Sequence, residues 1–409
     1  MRLLNAIKRF YQKLLKNEIV NSEDIPDVQA WDTYLASLGK AEDYIDASYK
    51  KYLCRIYYYS RFARFFMNFT SFFVLFAYLP FLVKSKKTLS SPVEGKALFE
   101  INADVGYKDI FPSQLNTEYP LIVSETRNNL YIGELCAPAK ELYRACKKAH
   151  PFRFEYHLWL VKELARHSKY LLEENPTATI VYVNERNVAA PLLKKLYEDS
   201  GRKLISFMHG EYLFQLALAY AAFSVYYFWD SFYLHNFAKR ERWTCDQYVV
   251  YLPDRLKCKQ NLVSLSAPEI FLTYYCSNES TQTITALKDV IDRIEKKGLR
   301  CKVRPHPRDS HTELLKNTFS SEQIELPESC SINDSLMGTM YPTGLMTTVF
   351  SEALAAGKKI IIDDITEPEK YENLLKRDAI VFTGNYMLLS TLLDDIENHR
   401  ISRKSKMDL

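Results

Sequence analysis

The sequence predicts an α/β protein of two successive doubly wound domains facing a cleft, preceded by a helical extension. Three observations carry that expectation. Short runs rich in Ile, Val and Tyr alternate with amphipathic stretches of helical period, the pattern of βαβ units and a mainly parallel sheet. The alternation runs once over about 95–261 and again over 262–409, with no short-period repeat. A chain of 409 residues also exceeds what one ordinary core fills, so size alone calls for two domains and an appendage.

The extension, residues 1–94, reads as helical throughout. Within it, Phe65–Val83 runs 19 residues without a charge, about the length that crosses a hydrocarbon core, though Asn68, Thr70, Ser71 and Pro80 interrupt it. From Ala47 to Val93 there are eight Lys/Arg and no Asp/Glu, with tyrosines at 49, 52, 57, 58 and 59. Cations and tyrosines flanking an apolar helix suit an anionic membrane surface. Basic residues on both flanks oppose a simple span. Three readings therefore stand open for 65–83: a monotopic or re-entrant membrane helix, a span, and a buried helix packed on the next domain. Met1–Phe10 lacks the apolar stretch of a cleavable export signal.

In the first domain, "YPLIVSE" (119–125), "TATIVYVNE" (177–185), "KLISFMHG" (203–210), "FSVYYFWD" (223–230) and "QYVVYLP" (247–253) read as buried strands. "APLLKKLYEDSG" (190–201) reads as a helix stopped by Gly201. The second domain offers strands at 269–277, 299–305, 323–327, 338–344, 358–364 and 378–382. Helices are expected at 283–298, 347–357 and 385–398. In such sheets ligands bind beyond the carboxyl ends of the strands.

Composition is globular, at 47% hydrophobic and 25% charged. A balance of 54 basic against 50 acidic side chains argues against nucleic acid as a partner. The eight cysteines (54, 136, 146, 245, 258, 276, 301, 330) form no C-x-x-C pair, which favours buried thiols in a reducing compartment over disulfides or zinc.

Chemistry concentrates at strand ends. After "LRCKV" come Arg304-Pro305-His306-Pro307-Arg308, an imidazole held between two prolines with an arginine on either side. That arrangement suits a phosphate and its leaving oxygen. A loop histidine with two solvated arginines is the plain alternative. In "TTVFSEALAAG" (347–357), Thr347 and Thr348 stand at a helix start that favours an anion, and Glu352 lies one turn on, within reach of a ribose. An ordinary capped helix with a solvated glutamate explains the same residues. In "FMHGEY" (207–212), His209 and Glu211 flank a turn glycine and could accept a proton from an acceptor hydroxyl. Asp230 and His235 follow the next strand, and Arg127 and Asn128 follow an earlier one. "DD" at 363–364 is the near candidate for a metal-binding carboxylate pair in the second domain, and it stands at no convincing site, so no metal is expected.

An HG pair at a strand end, a later R-x-HP and a T-T-V-x-x-E-A-x-x-x-G helix together resemble bacterial GT-B glycosyltransferases of surface-polysaccharide synthesis. These include lipooligosaccharide sialyltransferases, capsule Kdo-transferases and teichoic-acid CDP-glycerol polymerases. The motifs cover about 200–365. The resemblance implies two Rossmann-like domains, with the acceptor on the first and the nucleotide donor on the second. It implies transfer of a sialic acid- or Kdo-like sugar from a CMP-linked donor to a glycan or glycolipid, without metal or cofactor. His306, Thr347 and Thr348 would meet the donor phosphate, Glu352 the ribose, and His209 would act as base. His209-Gly210-Glu211 departs from the paired acidic motif of the sialyltransferases, which leaves the base and the donor open. The alternatives are transfer of glycerol- or ribitol-phosphate from a CDP-alditol, and a non-catalytic nucleotide-binding partner of an export complex. A cytoplasmic protein, peripheral on the inner membrane, is expected.

Overall fold

The computed structural model describes residues 28–76, 93–100, 121–123, 134–172, 177–182, 185–208, 216–253, 268–277, 279–307, 310–345, 347–376 and 386–398. The chain divides into two compact units, Met1–Leu252 and Pro253–Leu409.

The first unit is built on six parallel strands: β1 (Val93–Glu100), β2 (Leu121–Val123), β3 (Thr177–Tyr182), β4 (Lys203–Phe207), β5 (Val225–Phe228) and β6 (Gln247–Val250). Their order across the sheet is β2-β1-β3-β4-β5-β6. β4 is buried from Leu204 to Phe207, on both faces, which is why its side chains there are apolar apart from the small Ser206. Each such aliphatic side chain removed from water stabilises the fold by roughly 1.5–3 kcal/mol.

Helices Val28–Leu38, Tyr44–Arg55 and Arg61–Phe76 belong to this unit. Tyr44–Arg55 is capped by Asp43, whose carboxylate accepts from the N–H groups of Ile45 and Asp46. It buries Ala47, Ser48, Tyr52 and Cys54, and the Ser48 hydroxyl donates to the Val188 carbonyl at 2.7 Å. Arg61–Phe76 packs on the helix Phe154–Leu172 through Ala63, Met67 and Ser71. Asn68 clamps the two, donating to the Phe152 carbonyl (3.0 Å) and accepting from the Glu155 N–H (3.2 Å). No helix among the described residues is long and apolar enough to cross a membrane, and positions 77–83 of the apolar segment lie outside them.

The second unit carries β7 (Ile270–Tyr275), β8 (Cys301–Arg304), β9 (Thr339–Gly344), β10 (Ile360–Ile362) and β11 (Tyr386–Leu388). They pair in parallel in the order β11-β10-β9-β7-β8. The helix Thr281–Glu295 shows why the local sequence folds this way. Ser280 caps it by accepting from the Thr283 N–H at 3.1 Å. Ile284, Leu287, Ile291 and Ile294 recur on one face and enter the core over β7 and β8. Gly298, at φ +76°, takes the left-handed turn that lets the chain re-enter the sheet at Cys301.

Numbered within each unit, the first sheet runs 2-1-3-4-5-6 and the second 2-1-3-4-5, and in both the order reverses between the first and third strands. The two parallel sheets and the preceding helices are those the sequence predicts. Three details differ, and a fourth expected strand is not among the described residues. β1 was not expected, since "VEGKALFE" has one β-branched residue. Residues 386–388 form an edge strand on β10 where a helix start was expected, because their backbone pairs with Ile360–Ile362. The segment 323–327 makes only the bridge Val303↔Ile324 before Pro327 removes a donor from the ladder. The stretch 378–382 lies outside the described residues.

Candidate functional site

In an open parallel sheet the loops diverge where the strand order reverses, leaving a crevice at the carboxyl ends. In the second unit that place lies between β7 and β9. A pocket of about 170 Å³ opens there. Tyr275 and Cys276 from the end of β7, Arg304 to Pro307 from β8, and Thr347, Thr348 and Glu352 beyond β9 all line it.

β8 ends at Arg304, and Pro305 is buried, His306 half-buried and Pro307 exposed. The loop is tied by Ser310, whose hydroxyl accepts from the His306 N–H at 2.8 Å. That same Oγ lies 3.3 Å from the Ser277 carbonyl and 3.4 Å from Glu279 Oε2, so its proton has acceptors just past β7. Glu279 is itself buried and accepts from the Ser277 N–H. The imidazole thus leaves the sheet on a segment held by two prolines and a serine.

Arg304 is placed differently from a solvated arginine. Its guanidinium is buried and donates to Glu325 Oε1 at 2.7 Å and to the Cys330 carbonyl at 2.8 Å. It fixes the wall formed by Pro327 and Ile332.

Thr347 and Thr348 precede the helix Val349–Ala355. Thr347 Oγ1 accepts from the Val349 N–H at 3.3 Å, and the Thr348 hydroxyl makes no capping bond. Glu352 is buried, not the solvated glutamate that helix chemistry alone suggests, because Phe350 and Ala353 bring this helix onto the sheet. Gly344 ends β9 where a Cβ would stand 3.0 Å from the Tyr275 carbonyl oxygen and 3.3 Å from Thr347 Cγ2. Only a residue without a side chain lets β7 and the threonine loop approach so closely.

Burial sets the protonation of the remaining groups. It raises the Cys276 thiol well above its ordinary range, so this cysteine lines the pocket as a neutral thiol. It likewise raises the Tyr275 phenol, whose hydroxyl meets Ser335 Oγ at 2.8 Å.

Five of the residues singled out from sequence therefore share one pocket: Arg304, His306, Thr347, Thr348 and Glu352. His209, Glu211, Arg308, Arg127 and Asn128 lie outside the described residues. Asp230 caps the helix Ser231–Arg240, accepting from the Tyr233 N–H at 3.0 Å, and His235 is exposed on that helix. Asp363 is fully buried and accepts from the Tyr274 hydroxyl (2.7 Å) and the N–H groups of Ile365 and Thr366. Asp364 accepts from the Ser390 N–H and hydroxyl. These carboxylates brace the second unit. Ser310, Glu279, Glu325 and Gly344 were not singled out from sequence. Of these, only Ser310 carried a local signal, a hydroxyl four residues past His306, suited to closing a turn.

No protein-family model and no curated protein sequence matches the chain. Solved structures that resemble it include the wall teichoic acid polymerase TagF, at TM-score 0.40 and 10% identity, over 78% of this chain and 83% of that one. A variant of the same polymerase gives 0.41 and 10%, over 77% and 82%. An alpha,alpha-trehalose-phosphate synthase (UDP-forming) from Burkholderia vietnamiensis gives 0.38 and 9%, over 70% and 89%.

Proposed function

We propose that this protein is a glycosyltransferase whose second unit binds the nucleotide of a CMP-linked sugar. The observation that carries the reading is that His306 and the Thr347–Glu352 segment, distant in sequence, line one pocket at the point where strand order reverses. In this reading the donor phosphate sits against the His306 imidazole and the hydroxyls of Thr347 and Thr348, and Glu352 receives the ribose hydroxyls. The bond from the anomeric carbon to the phosphate oxygen breaks, with its electron pair going to that oxygen. Donors already in place compensate the growing charge, which lowers the barrier. The acceptor hydroxyl bonds to the anomeric carbon and gives its proton to His209 or Glu211. Neutralisation is assigned to protein donors, without a metal. The acceptor is a glycan or glycolipid of a bacterial surface polysaccharide.

A second reading, transfer of an alditol phosphate from a CDP-alditol, is favoured by the His209-Gly210 pair, which resembles the CDP-glycerol polymerases more than the sialyltransferases. Both reactions release CMP, so phosphorus incorporated into the acceptor separates them.

The test pairs a melting-shift screen of CMP, CDP, UDP and GDP with the variant His306→Ala. A nucleotide at about a hundred times its Kd stabilises by about 2.7 kcal/mol, a rise of several degrees. His306→Ala should lower turnover by about 10²–10⁴-fold while leaving the ligand-free melting temperature within about 2 °C. Full activity in that variant, or no shift with any nucleotide, overturns the reading.

A further inference from the structure

The helix Arg61–Phe76 is assembled with its faces reversed for a surface in water. Its small and polar positions Ala63 and Ser71, with Met67, are buried against Phe154–Leu172. Phe62, Phe65, Phe69, Phe72, Phe73 and Phe76 remain 37–69% exposed. At 3.6 residues per turn those six fall within an arc of about 100°, opposite the buried positions. Their rings form one continuous surface, with centroids 6.2 Å apart for Phe65–Phe69 and 5.0 Å for both Phe69–Phe73 and Phe72–Phe76. Phe152, 77% exposed, is held beside this helix by the Asn68 bond to its carbonyl. Single exposed apolar residues need no explanation, but a contiguous aromatic face marks a surface that something covers.

The charges say what covers it. Arg61 and Arg64 are exposed on this same helix, and from Ala47 to Val93 the sequence has eight Lys/Arg and no carboxylate. A second copy laid on the face would bring those arginines against their own counterparts. An anionic lipid surface instead pairs with them while its acyl boundary takes the phenyl rings. A narrow aromatic face on a helix whose opposite side is packed on protein suits a place in the interface plane. We infer that the phenylalanine face of Arg61–Phe76 is a monotopic docking surface for an anionic bilayer. It stands independently of the nucleotide reading.

The test is cosedimentation of the full chain with vesicles of zwitterionic phosphatidylcholine, with and without about one-third phosphatidylglycerol. The wild-type chain should pellet with the anionic vesicles, less so at high salt, and weakly with the zwitterionic ones. Phe65→Ser/Phe69→Ser/Phe73→Ser should lower the apparent affinity at least about 100-fold, since three phenyl groups lose their burial. Its melting temperature should be unchanged, because these side chains are exposed. A wild-type chain that stays in the supernatant with anionic vesicles overturns the inference. So does equal pelleting of the triple variant, or a dimer of the wild-type chain that the triple variant abolishes without any vesicle binding.

Discussion

Replacing Arg304 by methionine separates a wall-building arginine from one that serves the ligand alone. The guanidinium and the Glu325 carboxylate are 8% and 14% exposed and 2.7 Å apart, and the second nitrogen satisfies the Cys330 carbonyl. Arg304→Met leaves a largely buried carboxylate without its cation and a carbonyl without its donor. Breaking a buried pair from one side costs roughly 3–5 kcal/mol. Glu325 keeps some contact with water, so about 2–3 kcal/mol is expected here, or about 5–10 °C for a unit of this size. Arg304→Met/Glu325→Met removes both charges and should return to within about 1 kcal/mol of the original, since an apolar pair of similar volume replaces an ion pair at little cost. All four tryptophans lie in the first unit, so tryptophan fluorescence follows Met1–Leu252 and calorimetry is needed for Pro253–Leu409. The single variant should lower the calorimetric transition of the second unit while the fluorescence transition stays in place. A single variant with unchanged calorimetry, or a double variant no better than the single, refutes the wall-building role.

Two further substitutions test the packing around the helices and the pocket. Glu155 is fully buried, and burial raises its carboxyl to about 7 against an ordinary 4.5, so the folded state holds the proton more firmly than the unfolded one. The stability linked to it is therefore complete below about pH 4.5 and lost as pH rises to about 7, by up to about 3 kcal/mol. Glu155→Gln should match the parent near pH 5 in urea unfolding and exceed it at pH 8, and a pH-independent difference would contradict the assignment. Gly344→Ala places a methyl 3.0 Å from the Tyr275 carbonyl oxygen, a backbone atom that yields only if β7 shifts. A loss of about 1–3 kcal/mol and a diminished nucleotide-induced melting shift should follow, and wild-type values for both would show that the loop has room.

The strands easiest to read in the sequence are those the sheets bury on both faces. β10 is a continuous apolar run, and β4 is interrupted within its buried stretch only by the small Ser206, because a parallel strand between helix layers has no wet side. β1 and β11 escaped because backbone pairing, not side-chain pattern, makes them strands. The site divides in the same way. His306, Thr347, Thr348 and Glu352 belong to short motifs whose chemistry is local. What fixes them is not local. Arg304 finds Glu325 21 residues away, and Ser310 finds Glu279 31 residues back, across strands whose adjacency only the topology determines. Glu352 illustrates the cost of reading a helix in isolation: its residue type indicates water, while the neighbouring Phe350 and Ala353 draw that turn into the sheet.

The ion pair also bears on which groups would do the chemistry. Among the described residues, Arg304 and His306 are the two lining the pocket that can carry positive charge, and Glu352 the one whose carboxylate can oppose it. Arg304 is compensated by Glu325, so it adds geometry to the pocket and little net charge. A fixed, uncompensated guanidinium would attract a nucleotide phosphate about equally before and during bond cleavage, and uniform attraction of that kind tightens binding without speeding the chemical step. A hydrogen-bond donor whose interaction strengthens as charge builds on the departing oxygen favours the transition state over the bound substrate. On the proposed reading, Arg304 holds the wall and the developing charge is left to donors such as the imidazole between the prolines. If the product is CMP, as proposed, a compensated Arg304 also eases its release, because an unpaired guanidinium at that place would hold the product as firmly as the donor.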